Sequence, residues 1–377
     1  MLSRPDILVV GAGPSGLAVG ACLARRGLRA RILERGEAVG WSWARHYESL
    51  RLHTPRGLSG LPGLRLSTVP YPDRAEFLAY LGAYVRWSGL EIECGREVTS
   101  LARENGGWRV ETSRGPIEAR HVVLASGCYA EVREPDWDGR EAFHGRWLRP
   151  AEVAQEAEWS DRRVLVVGLG NTATDVLALL HRRGARTAVS VRGPIHIAPL
   201  EILGVSAFRW KRWIPDRILS LRRLGEGAGR AAERTGERFW WSLQERLYGD
   251  LRGQGLSLKS PEEIGRDQRS GRAPVIAGAW VDLLRRGEVP VFPAIAHFTA
   301  EGAVFADGRQ EPFSDVVPAL GFSDRRFPLA GDLNAPPRDG PVPGRPGLWL
   351  CGAAPALHYI RRAARRVARA IARELGR

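Results

Sequence analysis

The chain has 377 residues, 44% hydrophobic and 26% charged, which is ordinary for a globular protein and enough for two domains that each bury a core. Its formal net charge is +14, yet Lys211 and Lys259 are the two lysines among 56 basic residues, and no basic run is interleaved with aromatics. A strand-binding groove needs that interleaving, so no nucleic acid is expected as a partner, whereas attraction to anionic cofactors and substrates is. The longest apolar runs, such as Val164–Val167, have the length of a strand, so no membrane span is expected.

From Met1 to Asp6 the chain leads directly into a strand, which reads as an N-terminus without a signal peptide and as a cytoplasmic protein. Ile7–Val10 is a short apolar run, followed by the glycine turn GAGPSG (Gly11–Gly16), an Ala- and Leu-rich helix ending at Gly27, and the strand Ala30–Leu33. Strand, glycine turn, helix and strand make one βαβ unit. A helix is expected over Glu76–Trp87, and strands over Glu91–Thr99, Trp108–Thr112 and Ile117–Leu124. The turn-rich stretch Pro135–Gly139 marks a boundary. A second βαβ unit comes next, with the strand Val164–Val167, the turn GLGNTA (Gly168–Ala173), a helix to about Arg183 and the strand Thr187–Val191. Ser206–Leu251 leans helical and carries Trp210, Trp213, Trp240 and Trp241. Strands are expected at Val289–Phe292, Asp315–Leu320 and Leu348–Gly352, before a last helix with Ile360, Ala364, Val367, Ile371 and Leu375 on one face. That narrow face lacks large aromatics, so a packed terminal helix is expected rather than one lying on a membrane. Cys22, Cys94, Cys128 and Cys351 form no CxxC pair, so no redox dithiol is expected, and Cys22 and Cys351 read as core residues. The eight histidines lack ligand spacing, so no metal site is expected.

The two glycine turns differ at their third small residue and at the end of the second strand. In the first, Gly11 permits the turn, Gly13 lets backbone approach a pyrophosphate, and Gly16 lets helix and strand pack closely. Glu34 stands 23 positions after Gly11, where a carboxylate accepts both hydroxyls of an adenosine ribose. The second turn has Gly168, Gly170 and Ala173, with Asn171 and Thr172 available at the helix N-terminus. Val191 stands 23 positions after Gly168, and Arg192 is next to it. A carboxylate there would repel a 2′-phosphate, whereas a guanidinium grips one with two hydrogen bonds. The first site therefore suits an unphosphorylated ribose and the second suits NADP(H).

Over nearly its whole length the chain resembles the flavin-containing monooxygenases, most of all their plant YUCCA-type and related bacterial branch. The resemblance rests on GAGPSGLAV, ILERGEAVGWSW, YESLRLHTP (Tyr47–Pro55), VVLASG (Val122–Gly127), VLVVGLGNTATD, VRGPIHIAPLEILG (Val191–Gly204) and PGLWLCG, in that order. It implies an α/β fold of two Rossmann-like dinucleotide-binding domains. The FAD domain would take residues 1–150 and the returning stretch 319–377, and an inserted NADPH domain 155–318, with a helical insert at about 205–262.

Carried over onto matching positions, Gly11, Gly13, Pro14, Ser15, Gly16, Glu34 and Arg35 would bind FAD, with Trp43, His53 and Thr54 along the flavin. Val98 would lend backbone to the adenine, and Ala125, Ser126, Gly127 and Gly352 would complete that site. Gly168, Gly170, Asn171, Thr172, Ala173 and Arg192 would bind NADPH. Two departures stand out: the family's FxGxxxH reads FHGRWLR (Phe143–Arg149), with Arg149 for histidine, and the late ATG-like strand reads PALGF (Pro318–Phe322), with Leu320 for threonine. Arg149 is the candidate clamp for NADP or an anionic substrate.

The implied activity is NADPH- and O2-dependent oxygenation of a small organic molecule through a C4a-(hydro)peroxyflavin, by N- or S-oxidation or by attack on the carbonyl of a 2-oxo acid. No protein acid–base residue is singled out as catalytic, because the cofactor carries the chemistry. The same cofactors would also serve an NADPH-dependent flavoprotein reductase without oxygenation, or a non-catalytic flavin- and NADPH-binding protein. The oligomeric state stays open, a dimer being the form considered.

Overall fold

The computed structural model describes residues 6–47, 49–66, 69–127, 133, 135–156, 158–210, 226–270, 272–322, 339–353 and 357–377. They fall into two compact units, Met1–His46, Leu50–Val132 and Phe322–Arg377 in one, Tyr47–Ser49 and Arg133–Gly321 in the other.

In the first unit, β1 (Ile7–Val10) is buried along its whole length. It feeds α1 (Pro14–Ala24), whose residues Pro14 to Leu23 are all buried, as expected of a helix that is apolar on every side. The chain then forms β2 (Arg31–Leu33), parallel to β1 with Leu8 opposite Arg31, and the short α2 (Trp41–Ala44). Next comes α3 (Arg74–Ser88), whose start is set by a reciprocal capping box between Asp73 and Glu76.

The strand expected over Glu91–Thr99 is two. β3 (Glu91–Glu93) extends the parallel sheet beside β2, whereas β4 (Val98–Glu104) starts an antiparallel meander with β5 (Gly107–Thr112) and β6 (Ile117–Ala119). Ile117–Leu124 likewise divides at the exposed Arg120, where β6 ends and β7 (His121–Leu124) returns to pair with β1. Strands of three or four residues carry too little periodicity to reveal a change of sheet.

The second unit takes in residues 133–150, which the sequence assigned to the first domain. The reason is β8 (Arg146–Trp147), which joins the second unit's sheet. That sheet is built around β9 (Arg163–Val167), followed by α4 (Asn171–Arg182) and β10 (Arg186–Ser190). The chain continues through β11 (Ile197–Ala198) and a hairpin of Glu201–Ile202 against Val205–Ser206 into the insert.

The described part of the insert is helical: α5 (Glu226–Tyr248) and α6 (Pro261–Ser270). Trp240 is buried there with Ala207 and Ile264, Trp210 packs at the side of this small core, and Trp241 is exposed. Trp213, in the same expected tryptophan group, lies outside the described residues, as does Cys128. Then β12 (Val275–Ile276) pairs with β11, and α7 (Ala279–Arg285) comes after it. After β13 (Val291–Phe292) comes a meander of β14 (Ile295–Phe298), β15 (Gly302–Phe305) and β16 (Gln310–Pro312). β17 (Asp315–Pro318) completes a sheet of order β13-β10-β9-β17-β8. Asp315, fully buried, pairs with Arg146 at 2.5 Å and Arg162 at 3.2 Å, which ties β8 to the sheet edge.

The chain returns to the first unit through β18 (Gly340–Pro341) and β19 (Leu348–Leu350), the latter parallel to β7. The first sheet thus reads β18-β19-β7-β1-β2-β3. In α8 (Leu357–Glu374), Ile360, Ala364, Val367 and Ile371 are buried in the core that holds α1, and Arg362, Arg365, Arg366, Arg369 and Arg373 are exposed. It is a packed terminal helix. Among the described residues, no helix is long and apolar enough to cross a membrane.

Candidate cofactor sites

In the first unit the glycine turn is closed by backbone. A Cβ at Gly11 (φ +106°) would come within 2.7 Å of the Ala125 carbonyl oxygen and 3.3 Å of Ser126 Cα. A Cβ at Gly16 would overlap the carbonyl oxygen of Gly11, and one at Gly352 would overlap the Ser15 side chain. Gly11, Ser15, Gly16, Ala125, Ser126 and Gly352 are therefore brought together. Around Gly13, the N-cap of α1, a Cβ would meet nothing within 4 Å. The cap has no side-chain hydrogen bond, Pro14 opens the helix, and the first turn holds no acidic residue. Free amides at the positive end of a helix dipole, with open space before them, fit a pyrophosphate.

Glu34 is buried at the end of β2 and accepts hydrogen bonds from the amides of Ala12 (2.8 Å) and Gly36 (3.0 Å). The carboxylate thus lies against the turn, with lone pairs left for ribose hydroxyls. Arg35 is exposed. Trp43 is half-buried and packs on Phe77, ring centroids 4.6 Å apart, so its indole serves the core. His53 is half-buried, and burial pushes its imidazole below the usual histidine range, so it is neutral at pH 7. Thr54 accepts a hydrogen bond from Ser59 at its carbonyl, and Val98 is buried at the start of β4. Gly127 is next to Ser126 beyond β7. Burial raises the Cys22 and Cys351 thiols, in keeping with inert packing.

The second unit repeats the turn with other residues. A Cβ at Gly168 would come within 3.0 Å of the Ala319 carbonyl oxygen and 3.3 Å of Leu320 Cδ2. Ala319 and Leu320 thus stand to Gly168 as Ala125 and Ser126 stand to Gly11. Gly170, the N-cap of α4, again has nothing within 4 Å of a Cβ, no side-chain cap and no acid in the first turn. Ala173 is fully buried. Arg192 is exposed two residues beyond β10.

Asn171 departs from expectation. Its side chain is not available at the helix N-terminus, because its Nδ2 donates to the Pro274 carbonyl (3.0 Å) and its Oδ1 accepts from the Ile276 amide (2.8 Å). It holds β12 against α4, which leaves its backbone for a phosphate.

Three polar groups escaped the sequence reading. Tyr47 and Asp175 lie inside the family motifs, yet their pairing, Tyr47 Oη donating to Asp175 Oδ2 at 2.7 Å, spans 128 positions. Burial pushes the Asp175 carboxyl up to about 6, although the Tyr47 hydrogen bond and Arg182 act to lower it. Asp339 accepts from the amides of Gly352 (2.7 Å) and Ala353 (2.9 Å), fixing the segment that abuts Ser15.

The profile of the family described as pyridine nucleotide-disulphide oxidoreductase matches residues 8–199. The chain is 32% identical over 369 residues to indole-3-pyruvate monooxygenase YUCCA1 of Oryza sativa subsp. japonica, covering 92% of this chain and 86% of that one. It is 33% identical to YUCCA4 of the same plant, covering 84% and 74%. A flavin-containing monooxygenase from Stenotrophomonas maltophilia superposes with a TM-score of 0.71 at 25% identity, over 98% of each chain.

The chain belongs to the flavin-containing monooxygenases.

As a member of that family it is an FAD- and NADPH-dependent monooxygenase with two dinucleotide-binding domains. The readings as a reductase without oxygenation and as a non-catalytic binding protein give way to this one. The family's FxG start is explained locally: a Cβ at Gly145 would overlap the Phe143 ring and come within 2.7 Å of the Ser314 carbonyl. Arg149, in the family's histidine position, is exposed on the loop after β8, where its amide donates to Glu152 (2.7 Å). Leu320, in place of threonine, packs beside the phenylalanines of the second unit.

Proposed function

We propose that this flavin-containing monooxygenase oxidatively decarboxylates an aryl 2-oxo acid. One 2-oxo acid, O2, NADPH and a proton give the carboxylic acid one carbon shorter, CO2, NADP+ and water. The observation that carries the reading is the run of relatives named indole-3-pyruvate monooxygenases, 28–33% identical over 84–92% of this chain.

Bound FAD would supply the hydride acceptor for NADPH and the chemistry that activates O2. The chain's own residues bind and orient. The amides of the Gly11–Gly16 turn would receive the FAD pyrophosphate and Glu34 would accept the ribose hydroxyls, with Gly352 lying against Ser15. Arg192 would receive the 2′-phosphate of NADPH at the second turn. Arg149, permanently charged, cannot shuttle a proton near neutral pH, but it can clamp NADP+ or the substrate carboxylate bidentately. Trp210 and Trp240 pack in the insert's small core with Ala207 and Ile264. A cytoplasmic setting belongs to the same reading, supported by the buried free thiols of Cys22 and Cys351.

A product-coupled screen with amines, sulfides and aryl 2-oxo acids tests it. The expected result is substrate-stimulated NADPH oxidation with one CO2 and one shortened acid per NADPH. N-oxide or sulfoxide formation with no CO2 from any 2-oxo acid would replace the proposal with oxidation of soft nucleophiles.

A further inference from the structure

Arg96 is buried, 8% exposed, and its guanidinium is bonded at all three nitrogens. Nε donates to Thr112 Oγ1 (2.8 Å), Nη1 to the Glu93 carboxylate (3.1 Å) and Nη2 to the Gly115 carbonyl (3.0 Å). Glu93 is paired in addition with Arg31 of β2 (2.5 Å) and with Arg114 (3.7 Å). Taking a guanidinium out of water is unfavourable unless its charge is paired and its donors find acceptors, and here both conditions hold. One side chain thereby joins the end of β3, the end of β5 and the turn between β5 and β6.

Arg96 stands in the elbow, Cys94–Glu97, by which the chain leaves the parallel sheet at β3 and enters the meander at β4. The main chain of this elbow runs beside the residue read as the ribose acceptor. The Glu34 amide donates to the Glu93 carbonyl (2.9 Å), the Arg96 amide to the Glu34 carbonyl (2.9 Å) and the Gly95 amide to the Gly36 carbonyl (2.8 Å). The Glu34 carboxylate holds the same short segment from within, through the amides of Ala12 and Gly36. The bonds from Gly95 and Arg96 keep their direction only while the elbow keeps its shape. Short, and with a glycine at φ +67°, the elbow has no regular structure of its own to set that shape. The Arg96 guanidinium, bonded to three fixed neighbours, supplies the constraint.

We propose that Arg96 is a positioning residue for FAD: by fixing the elbow it sets the place of the Glu34 carboxylate, which takes the adenosine ribose. The proposal rests on the reading of Glu34 as that acceptor. Arg96 acts through Glu34, so its contribution to FAD affinity should disappear when the carboxylate is removed. A residue that only braced the meander would contribute alike with the carboxylate and without it.

Dilution of the FAD-loaded protein, followed by the fluorescence of released flavin, gives the FAD dissociation constant of each variant. Arg96→Met should raise it about tenfold in the wild-type background and less than about twofold in the Glu34→Ala background. Arg96→Lys keeps a charge for Glu93 but has no planar fork to reach Thr112 and Gly115 as well, so it should recover only part of the loss. Thr112→Val removes one acceptor and leaves the ion pair, and should raise the constant about threefold, again only where Glu34 is present. These two milder variants carry the same test if Arg96→Met does not fold. Equal losses in the two backgrounds, or FAD affinity unchanged by substitution at Arg96, overturn the positioning role and leave Arg96 a brace of the fold. Unchanged FAD affinity in Glu34→Ala instead overturns the ribose assignment, and the proposal with it.

Discussion

The two nucleotide turns of this molecule have the same plan and differ at two places. Each begins with a glycine pressed against a carbonyl of a crossing strand, Ala125 in one and Ala319 in the other, and each opens a helix whose N-cap glycine faces free space. The third position separates them: Gly16 has no room for a methyl group, because the Gly11 carbonyl occupies the place, whereas Ala173 carries one, fully buried. The ribose end separates them again, with Glu34 bonded into its own turn and Arg192 exposed beyond Val191. On the proposed reading the turn receives a pyrophosphate in both units, and the residues after the second strand distinguish the dinucleotides.

The largest expected effect comes from giving the first turn the residue of the second. Gly16→Ala drives a methyl group into backbone that cannot yield as a flexible side chain would. FAD affinity should fall by more than about 100-fold, equivalent to more than about 2.7 kcal/mol, and the protein should purify largely colourless. Titration with NADP+ should still report binding, since the second turn is untouched. Stoichiometric FAD in Gly16→Ala would mean that the first turn is looser than its geometry indicates.

A smaller effect is expected from the ribose end of the second turn. Arg192→Ala removes a charge-assisted contact of roughly 1.5–3 kcal/mol, about 10- to 100-fold in affinity for NADPH. NADH affinity should scarcely change. Equal losses for both cofactors would assign Arg192 to the pyrophosphate or to folding and would erase the proposed contrast with Glu34.

These contrasts are legible in the sequence because they are local. Glycine spacing, the acid after β2 and the arginine after β10 all lie within one βαβ unit each. The features that escape the sequence depend on distant partners. A strand as short as Arg146–Trp147 has no periodicity to read, and its place is set by pairing with β17 and by the ion pairs of Asp315. Asn171 reads as a free amide at a helix start, because nothing local announces that Pro274 and Ile276 consume both ends of its side chain. Tyr47 and Asp175 belong to separate motifs, and their contact emerges only when the fold closes 128 positions. The bends at Arg120 and between β3 and β4 escape because each has a short flanking strand whose sheet is set by partners distant in sequence.

The smallest effect comes from the reverse exchange, Ala173→Gly, which gives the second turn the residue of the first. Ala173 is the third residue of α4 and is fully buried. Removing its methyl group gives up about 0.8 kcal/mol of burial. The glycine adds about 0.5–1 kcal/mol of backbone freedom to the unfolded chain. Together they amount to a loss of about 1–2 kcal/mol, which should lower the second unit's melting midpoint by a few degrees. NADP+ affinity should stay within about twofold, because a glycine here makes no clash and the amides of α4 keep their places. FAD retention should not move. The exchange is thus asymmetric: alanine is excluded from the first turn by the Gly11 carbonyl, while glycine in the second costs only helix stability. A loss of NADP+ binding as severe as the FAD loss in Gly16→Ala would show that the Ala173 methyl shapes the phosphate site itself, and the two turns would then differ in how they hold their ligands.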